Sequence, residues 1–232
     1  MQYSLITNDL KSRQRCFFYD RVAPMRIFIF IVLFCFSSAI SALELRDLEG
    51  GDVVLLSLNC YECRMIESET ESTFSHSGVV IIDELGTKKI AQSLGRLDKF
   101  SLADFTKNKT PGTKVHVYRP RDFKNLHKFE RLNLEKSMLD TFNEKYKNAP
   151  FDSKYLWNNF TSNGVELLYC SEFIAKFLDH FLTKKTVPFP ISYKKHFDYW
   201  QTYFKGIVPE GEIGNSPAAF SRDARFEFIG TL

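Results

Sequence analysis

Leu167-Leu168-Tyr169-Cys170-Ser171-Glu172-Phe173-Ile174-Ala175-Lys176-Phe177-Leu178 carries a short apolar run into a cysteine and then into an amphipathic helix. Ile174, Phe177, Leu178 and Phe181 recur at helical spacing and mark the buried face. Ser171 and Glu172 suit a first turn, where small polar and acidic residues meet open backbone N–H groups. Cys170 is therefore predicted at a helix N-terminus, where the helix dipole stabilises a thiolate and lowers its pKa. An inert core thiol is the alternative, because free cysteines are among the most buried residues. A working nucleophile needs a base or a cationic partner, and the rest of the chain can be searched for one.

His76 is the candidate base. It opens an apolar strand on which Val79 and Ile81 follow with period two, and its neighbours Ser75, Ser77 and Gly78 leave room for a reacting group. The other histidines, His116, His127, His180 and His196, lie among charged residues and read as surface groups. A capped or solvent-facing His76 is the plainer alternative. A histidine base needs an acceptor that fixes its tautomer. Gln92, on the next predicted strand, is the candidate; Asp83 and Glu84 fall in a turn and are weaker ones.

The N-terminus has its own pattern. Met25-Arg26, the apolar run Ile27 to Phe36 and the small residues up to Ala42 read as a secretory signal peptide over about 25–42. The apolar run is shorter than the roughly 20 residues of a membrane span. Residues 1–24 precede this signal and match none of its parts. Removing 1–42 leaves 26 basic and 26 acidic residues, so the +3 of the whole chain comes from the presequence. No electrostatic case for nucleic-acid binding remains. Residues 43–232 suit one domain with one core, placed in a secreted or periplasmic setting with no membrane span after cleavage. There Cys60, Cys63 and Cys170 remain. The simplest arithmetic pairs Cys60 with Cys63 and leaves Cys170 as a free thiol; two reduced thiols near the site are the alternative.

Val53 to Leu58, Ser75 to Ile82, Lys88 to Leu94 and Lys114 to Tyr118 read as strands, the second and third as a hairpin. Residues 60–72 read as a short helix or loop. Ser101 and Asp104 have capping-box spacing ahead of a short helix. Residues 124–147 carry Leu126, Phe129, Leu132, Met138, Leu139, Phe142 and Tyr146 at helical spacing, with a break expected near Asn133. Tyr193 to Phe204 is predicted helical. The Gly- and Pro-rich tail after Pro209 has Phe220, Phe226, Phe228 and Ile229 to pack on the domain.

Three blocks, Gly51-Asp52-Val53-Val54, Phe74-Ser75-His76-Ser77-Gly78-Val79-Val80 and Leu168-Tyr169-Cys170-Ser171-Glu172, resemble the YiiX/YebB-like branch of the NlpC/P60 cysteine hydrolases. The tail blocks Pro209-Glu210-Gly211, Gly214-Asn215-Ser216-Pro217 and Arg225 to Gly230 resemble it as well, so the likeness runs from about residue 46 onward. It implies an α+β, circularly permuted papain-like fold, with an antiparallel sheet or partial barrel packed against the nucleophile helix. It implies Cys170 as nucleophile and His76 as base, with no cofactor and no metal. Gln92 stands where the branch often carries Glu, which keeps an acceptor and loses a charge. The Cys170 N–H is the natural oxyanion donor, with Tyr169 as a supporting contributor.

The activity so implied is cleavage of an amide, in a cell-wall peptide, peptidoglycan or a lipid-like substrate, through a Cys–His thioester. Specificity is expected from loops 59–74 and 151–166. Lipid acyl transfer or thioesterase action on the same fold is the near alternative. A thiol-redox protein built on Cys60-Tyr61-Glu62-Cys63 is a second; residues 64–73 look too polar for the helix it needs. A non-catalytic binding module is the third. Zinc is disfavoured, because no second ligand pair accompanies Cys60 and Cys63.

Overall fold

The computed structural model describes residues 42–232. Of the expected presequence only Ala42 falls among them. The fold is organised on strand β1 (Val53–Leu56), an aliphatic run buried at every position. Val53 and Leu55 enter one apolar cluster and Val54 and Leu56 the other. A strand that is apolar on both sides must lie inside a sheet covered on both faces. β1 accordingly pairs antiparallel with β2 (His76–Ile82) on one side and with β5 (His116–Pro120) on the other.

The sheet has six strands in the order β10-β5-β1-β2-β3-β4, every neighbouring pair antiparallel. The expected hairpin is present: β3 (Lys88–Leu94) returns from the turn after β2. β4 (Arg96–Phe100) follows directly after Gly95 and forms an edge strand that the sequence reading did not anticipate. β10 (Phe226–Thr231) forms the opposite edge, so Phe226, Phe228 and Ile229 of the tail belong to the main sheet, while Phe220 lies on a helix. Two short ribbons complete the strands: β6 (Asn159–Phe160) with β7 (Glu166–Leu167), and β8 (Phe189–Pro190) with β9 (Ile213–Gly214).

The helices are α1 (Tyr61–Glu69), α2 (Leu102–Thr106), α3 (Lys128–Thr141), α4 (Cys170–Leu178), α5 (Phe197–Tyr203) and α6 (Pro217–Arg222). Among the described residues no helix is long and apolar enough to cross a membrane. α4 and α3 cover one face of the sheet, and Phe105 of α2 joins the cluster on the other. Ser101 caps α2 as expected, accepting from the Asp104 N–H at 3.0 Å.

Of the short helix or loop expected over 60–72, the helix forms as α1, although 64–73 read as too polar for one: Cys60 is its N-cap, Cys63 turns inward, and Arg64 and Glu67 bond each other at 3.1 Å. α3 runs through Asn133 without a break. Asn133 faces solvent, where its modest helix propensity costs only a few tenths of a kcal/mol. Phe129 and Leu132 are exposed, not buried; Leu126, Leu134 and Leu139 are partly covered by the core, and Met138, Phe142 and Tyr146 are buried in it. The helix predicted over Tyr193 to Phe204 is shorter, beginning at Phe197.

A buried ion pair locks the start of β1 to β5. Arg119 grips Asp52 with two bonds, Nε to Oδ1 at 2.7 Å and a second guanidinium nitrogen to Oδ2 at 2.8 Å. The Glu49 N–H adds a third bond to Asp52, at 2.8 Å. Burial still pushes the Asp52 carboxyl above its usual range, against the pull of Arg119. Gly51, just before it, has φ +90°, and a Cβ there would lie 2.6 Å from Phe123. Asp52→Ala takes its two shortest bonds from a largely buried guanidinium, which keeps Glu49 at 3.1 Å and the Asp47 carbonyl at 3.2 Å. The variant is expected to lose about 3–5 kcal/mol of folding stability, read from the midpoint of chemical denaturation.

Candidate active site

Cys170 is the first residue of α4, as its sequence context predicts, and Tyr169 is the N-cap. The helix forms there because Phe173, Ile174, Phe177 and Leu178 bury into the core against β2 and β3. The chain entering it is pinned at two points. The Ser93 hydroxyl donates to the Leu168 carbonyl at 2.6 Å, and the Leu168 N–H donates to Pro150 at 3.0 Å. Ser93 is thus a positioning residue, one step along β3 from Gln92.

His76 begins β2 and is buried, its ring 5.5 Å from that of Phe105. Gly78 makes this approach possible, since a Cβ there would fall 2.4 Å from Ile90 and 2.9 Å from Phe105. The strand start is held by Ser75, which accepts from the Leu58 N–H at 2.9 Å and donates to Glu67 of α1 at 2.9 Å. His76 Nε2–H donates to Gln92 Oε1 at 2.5 Å. A carbonyl oxygen can only accept, so Nε2 carries a proton and Nδ1 is left for the sulfur.

The Cys170 thiol and the His76 imidazole lie close enough for each to shift the other's titration. Burial pushes the Cys170 thiol up, but the charge on His76 and hydrogen bonds from His76 and Ser77 outweigh it and bring the thiol below its usual value. Burial likewise opposes the imidazolium, and the charge on Cys170, with bonds to Cys170 and Gln92, outweighs that and raises His76. Both shifts favour a thiolate–imidazolium pair. The sequence marked Ser77 only as a small neighbour of His76, not as a partner of the sulfur. The β2–β3 ladder stops at Val79 and Ala91, which leaves the Ser77 N–H free to meet the sulfur.

The remaining sequence candidates fall as follows. Cys60 and Cys63 form a disulfide at the N-terminus of α1, and Cys170 is the free cysteine among the described residues. The Tyr169 hydroxyl is engaged by the backbone N–H of Asn215 at 2.7 Å. Asp83 stays in its turn, bonding the N–H groups of Leu85 and Thr87. His127 is exposed and caps α3. His116 and His196 are half-buried, His116 beside Phe74 and Phe228 and His196 on Ser68, while exposed His180 bonds Tyr146 at 3.0 Å. The surface reading therefore holds for His127 and His180, while His116 and His196 are more enclosed than it predicts.

Cys170 opens into a cleft of about 740 Å³. α1 supplies Ile66, the 151–166 loop supplies Tyr155, and the segments after α4 supply Val187, Phe189 and Phe220. The expected specificity loops therefore border the cleft, together with the region around β8 and β9. Tyr155 has φ +54°, and its hydroxyl is tied to Glu62 of α1.

Glu172, two residues after the sulfur, holds the 151–166 loop by accepting from the Asn158 N–H at 2.9 Å. It also bonds Lys176 at 2.7 Å, yet its Oε2 is buried without a partner.

Neither a protein-family model nor a curated protein matches the chain. The fold is similar to the crystal structure of the metalloprotein YiiX from Escherichia coli O157:H7. The TM-score is 0.67 at 16% identity, over 79% of this chain and 97% of that one. The chain thus has a mixed α/β, YiiX-like fold. The word metalloprotein describes that protein. Among the described residues of this chain, no three His, Cys, Asp or Glu groups converge to hold a metal ion.

The carboxyl of Glu172 is pushed by burial to about 7, with Lys176 and the Asn158 N–H pulling the other way. The folded chain therefore keeps a proton that the unfolded chain releases near the ordinary carboxylate value. This contribution to stability is full below the unfolded pKa and is lost as pH rises through the folded one. Glu172→Gln should abolish that dependence. Relative to the variant, the parent is expected to lose about 3 kcal/mol between roughly pH 4.5 and pH 8, measured by denaturation across that range.

Proposed function

We propose that the chain is a cysteine hydrolase of the permuted papain-like, NlpC/P60 type that cleaves an amide through a thioester. The observation that carries this reading is the buried line Cys170–His76–Gln92, in which both titrating members are shifted toward the ion pair. The thiolate attacks the amide carbonyl carbon, and a C–S bond forms while the carbonyl pair moves to oxygen. The imidazolium hands its proton to the leaving amine as the C–N bond breaks. Neutral His76 then takes a proton from water, hydroxide adds to the thioester, and the acid leaves with the thiolate restored. The α4 N-terminus directs the Cys170 N–H at the developing oxyanion.

Gln92 orients His76 and leaves it without a neighbouring negative charge. The imidazolium in this chain therefore leans on the thiolate for its stability, and the pair weakens once the sulfur is acylated.

One observation favours an acyl-chain substrate over a polar cell-wall peptide. Ile66, Val187, Phe189, Ile191 and Phe220 make the cleft largely apolar. A lipid-like amide fits such walls, and transfer of its acyl group to another acceptor is the second reading. A secreted or periplasmic location, following removal of the signal over 25–42, is part of the proposal.

Alkylation by iodoacetamide, followed by peptide mass mapping, tests the reading. Cys170 is expected to react at pH 6 nearly as fast as at pH 8. His76→Ala should slow labelling at pH 6 by about 100-fold, because an ordinary thiol is well under a hundredth ionised there. Equal rates in parent and variant would remove the base from the mechanism. Labelling confined to Cys60 and Cys63 after mild reduction would favour thiol–disulfide chemistry.

A further inference from the structure

We propose that Asn215 is a catalytic residue whose side-chain amide is the second donor of the oxyanion hole at Cys170. This rests on the cysteine-hydrolase reading above and adds a member to its site.

Asn215 is 7% exposed and lines the same cleft as Cys170 and Tyr169. It is fixed at both ends. Its backbone N–H donates to the Tyr169 hydroxyl at 2.7 Å, and Tyr169 is the residue that starts the nucleophile helix. Its side-chain Oδ1 accepts from the Ser216 N–H at 2.7 Å. A backbone N–H can only donate, so the carbonyl end of the amide must face Ser216, and the orientation of the side chain follows. The NH2 group lies at the other end. No hydrogen bond reaches it, yet it is not among the buried polar atoms sealed from the surface. It therefore opens into the cleft with two unused N–H donors.

The neighbourhood keeps it there. Gly214 pairs with Phe189 in the β8–β9 ribbon, and a Cβ at Gly214 would lie 3.0 Å from the Tyr169 hydroxyl. Pro217 begins α6 directly after Ser216. A donor so immobilised loses little entropy when negative charge develops beside it, which is the condition for strong oxyanion stabilisation. The Tyr169 hydroxyl then acts one step back, positioning Asn215. In the acylation step the sulfur bonds to the acyl carbon and the carbonyl π pair moves to oxygen. That oxygen accepts from the Cys170 N–H and the Asn215 amide until it collapses and expels the leaving group.

Asn215→Asp is the informative substitution. It keeps the shape and the acceptor for Ser216 and replaces the two donors by an acceptor; Asn215→Ala removes both ends. The probe is p-nitrophenyl octanoate, read as a burst of p-nitrophenolate together with the acyl mass on Cys170. Both variants should acylate about 100-fold or more slowly, while iodoacetamide alkylation, which forms no oxyanion, stays within about twofold at a pH where the thiol is fully ionised. Acylation of Asn215→Asp at the parental rate overturns the assignment, and so does a parallel fall in acylation and alkylation. A parent that is not acylated at Cys170 overturns the hydrolase reading as well, which separates the two failures.

Discussion

Two groups whose charged forms burial disfavours are set against each other, and each favours the charged form of its partner. Burial alone would neutralise both Cys170 and His76. Their mutual attraction in a poorly polarisable setting reverses both tendencies. That compensation works over a contact distance and fails when the groups part. The rest of the molecule can be understood as the apparatus that stops a helix from moving relative to a sheet.

Several pieces of that apparatus come from different stretches of sequence. Ser93 reaches from β3 to the residue before Tyr169, so the strand that carries Gln92 also anchors the start of the Cys170 helix. Ser75 ties the start of β2 to α1 through Glu67. Gly78 lets Phe105 pack beside the imidazole. Asp52 and Arg119 fasten β5 to the start of β1, the strand beside which β2 lies. The early termination of the β2–β3 ladder leaves one backbone donor for the sulfur. None of these contacts touches a substrate, and each removes a direction in which the pair could separate.

Much of this was legible in the sequence, for physical reasons. The all-apolar β1 and the alternation after His76 report burial directly, and the switch to helical spacing after Cys170 reports a helix with a defined start. The pairing of His76 with Gln92 followed from hairpin geometry. Other features were hidden because they depend on partners far along the chain. α1 looked too polar, since its polar residues are used on Ser57, Ser75 and the chain near Lys195 and His196. The exposure of Phe129 and Leu132 could not be told from their spacing, which is helical whether or not a neighbour covers it. The roles of Ser77 and Asn215 carry no local signal: Ser77 reads only as a small neighbour of His76, and Asn215 only as part of the Gly214-Asn215-Ser216-Pro217 block, until the sulfur, Tyr169 and Ser216 are seen around them. The membership of the tail in the main sheet was equally non-local.

The two edges of the described region meet in space. The Leu43 N–H donates to Thr231 at 2.8 Å, and the Leu232 N–H donates to Val115 at 2.9 Å. Pro111 and Gly112, meanwhile, form an exposed turn between the two halves of the sheet. Splicing Leu43 to Leu232 through a few residues and opening the loop at that turn would place Cys170 ahead of His76 along the polypeptide, with no strand relocated. The order of the thiol and the imidazole along the chain is thus a matter of where a ring of secondary structure happens to be cut.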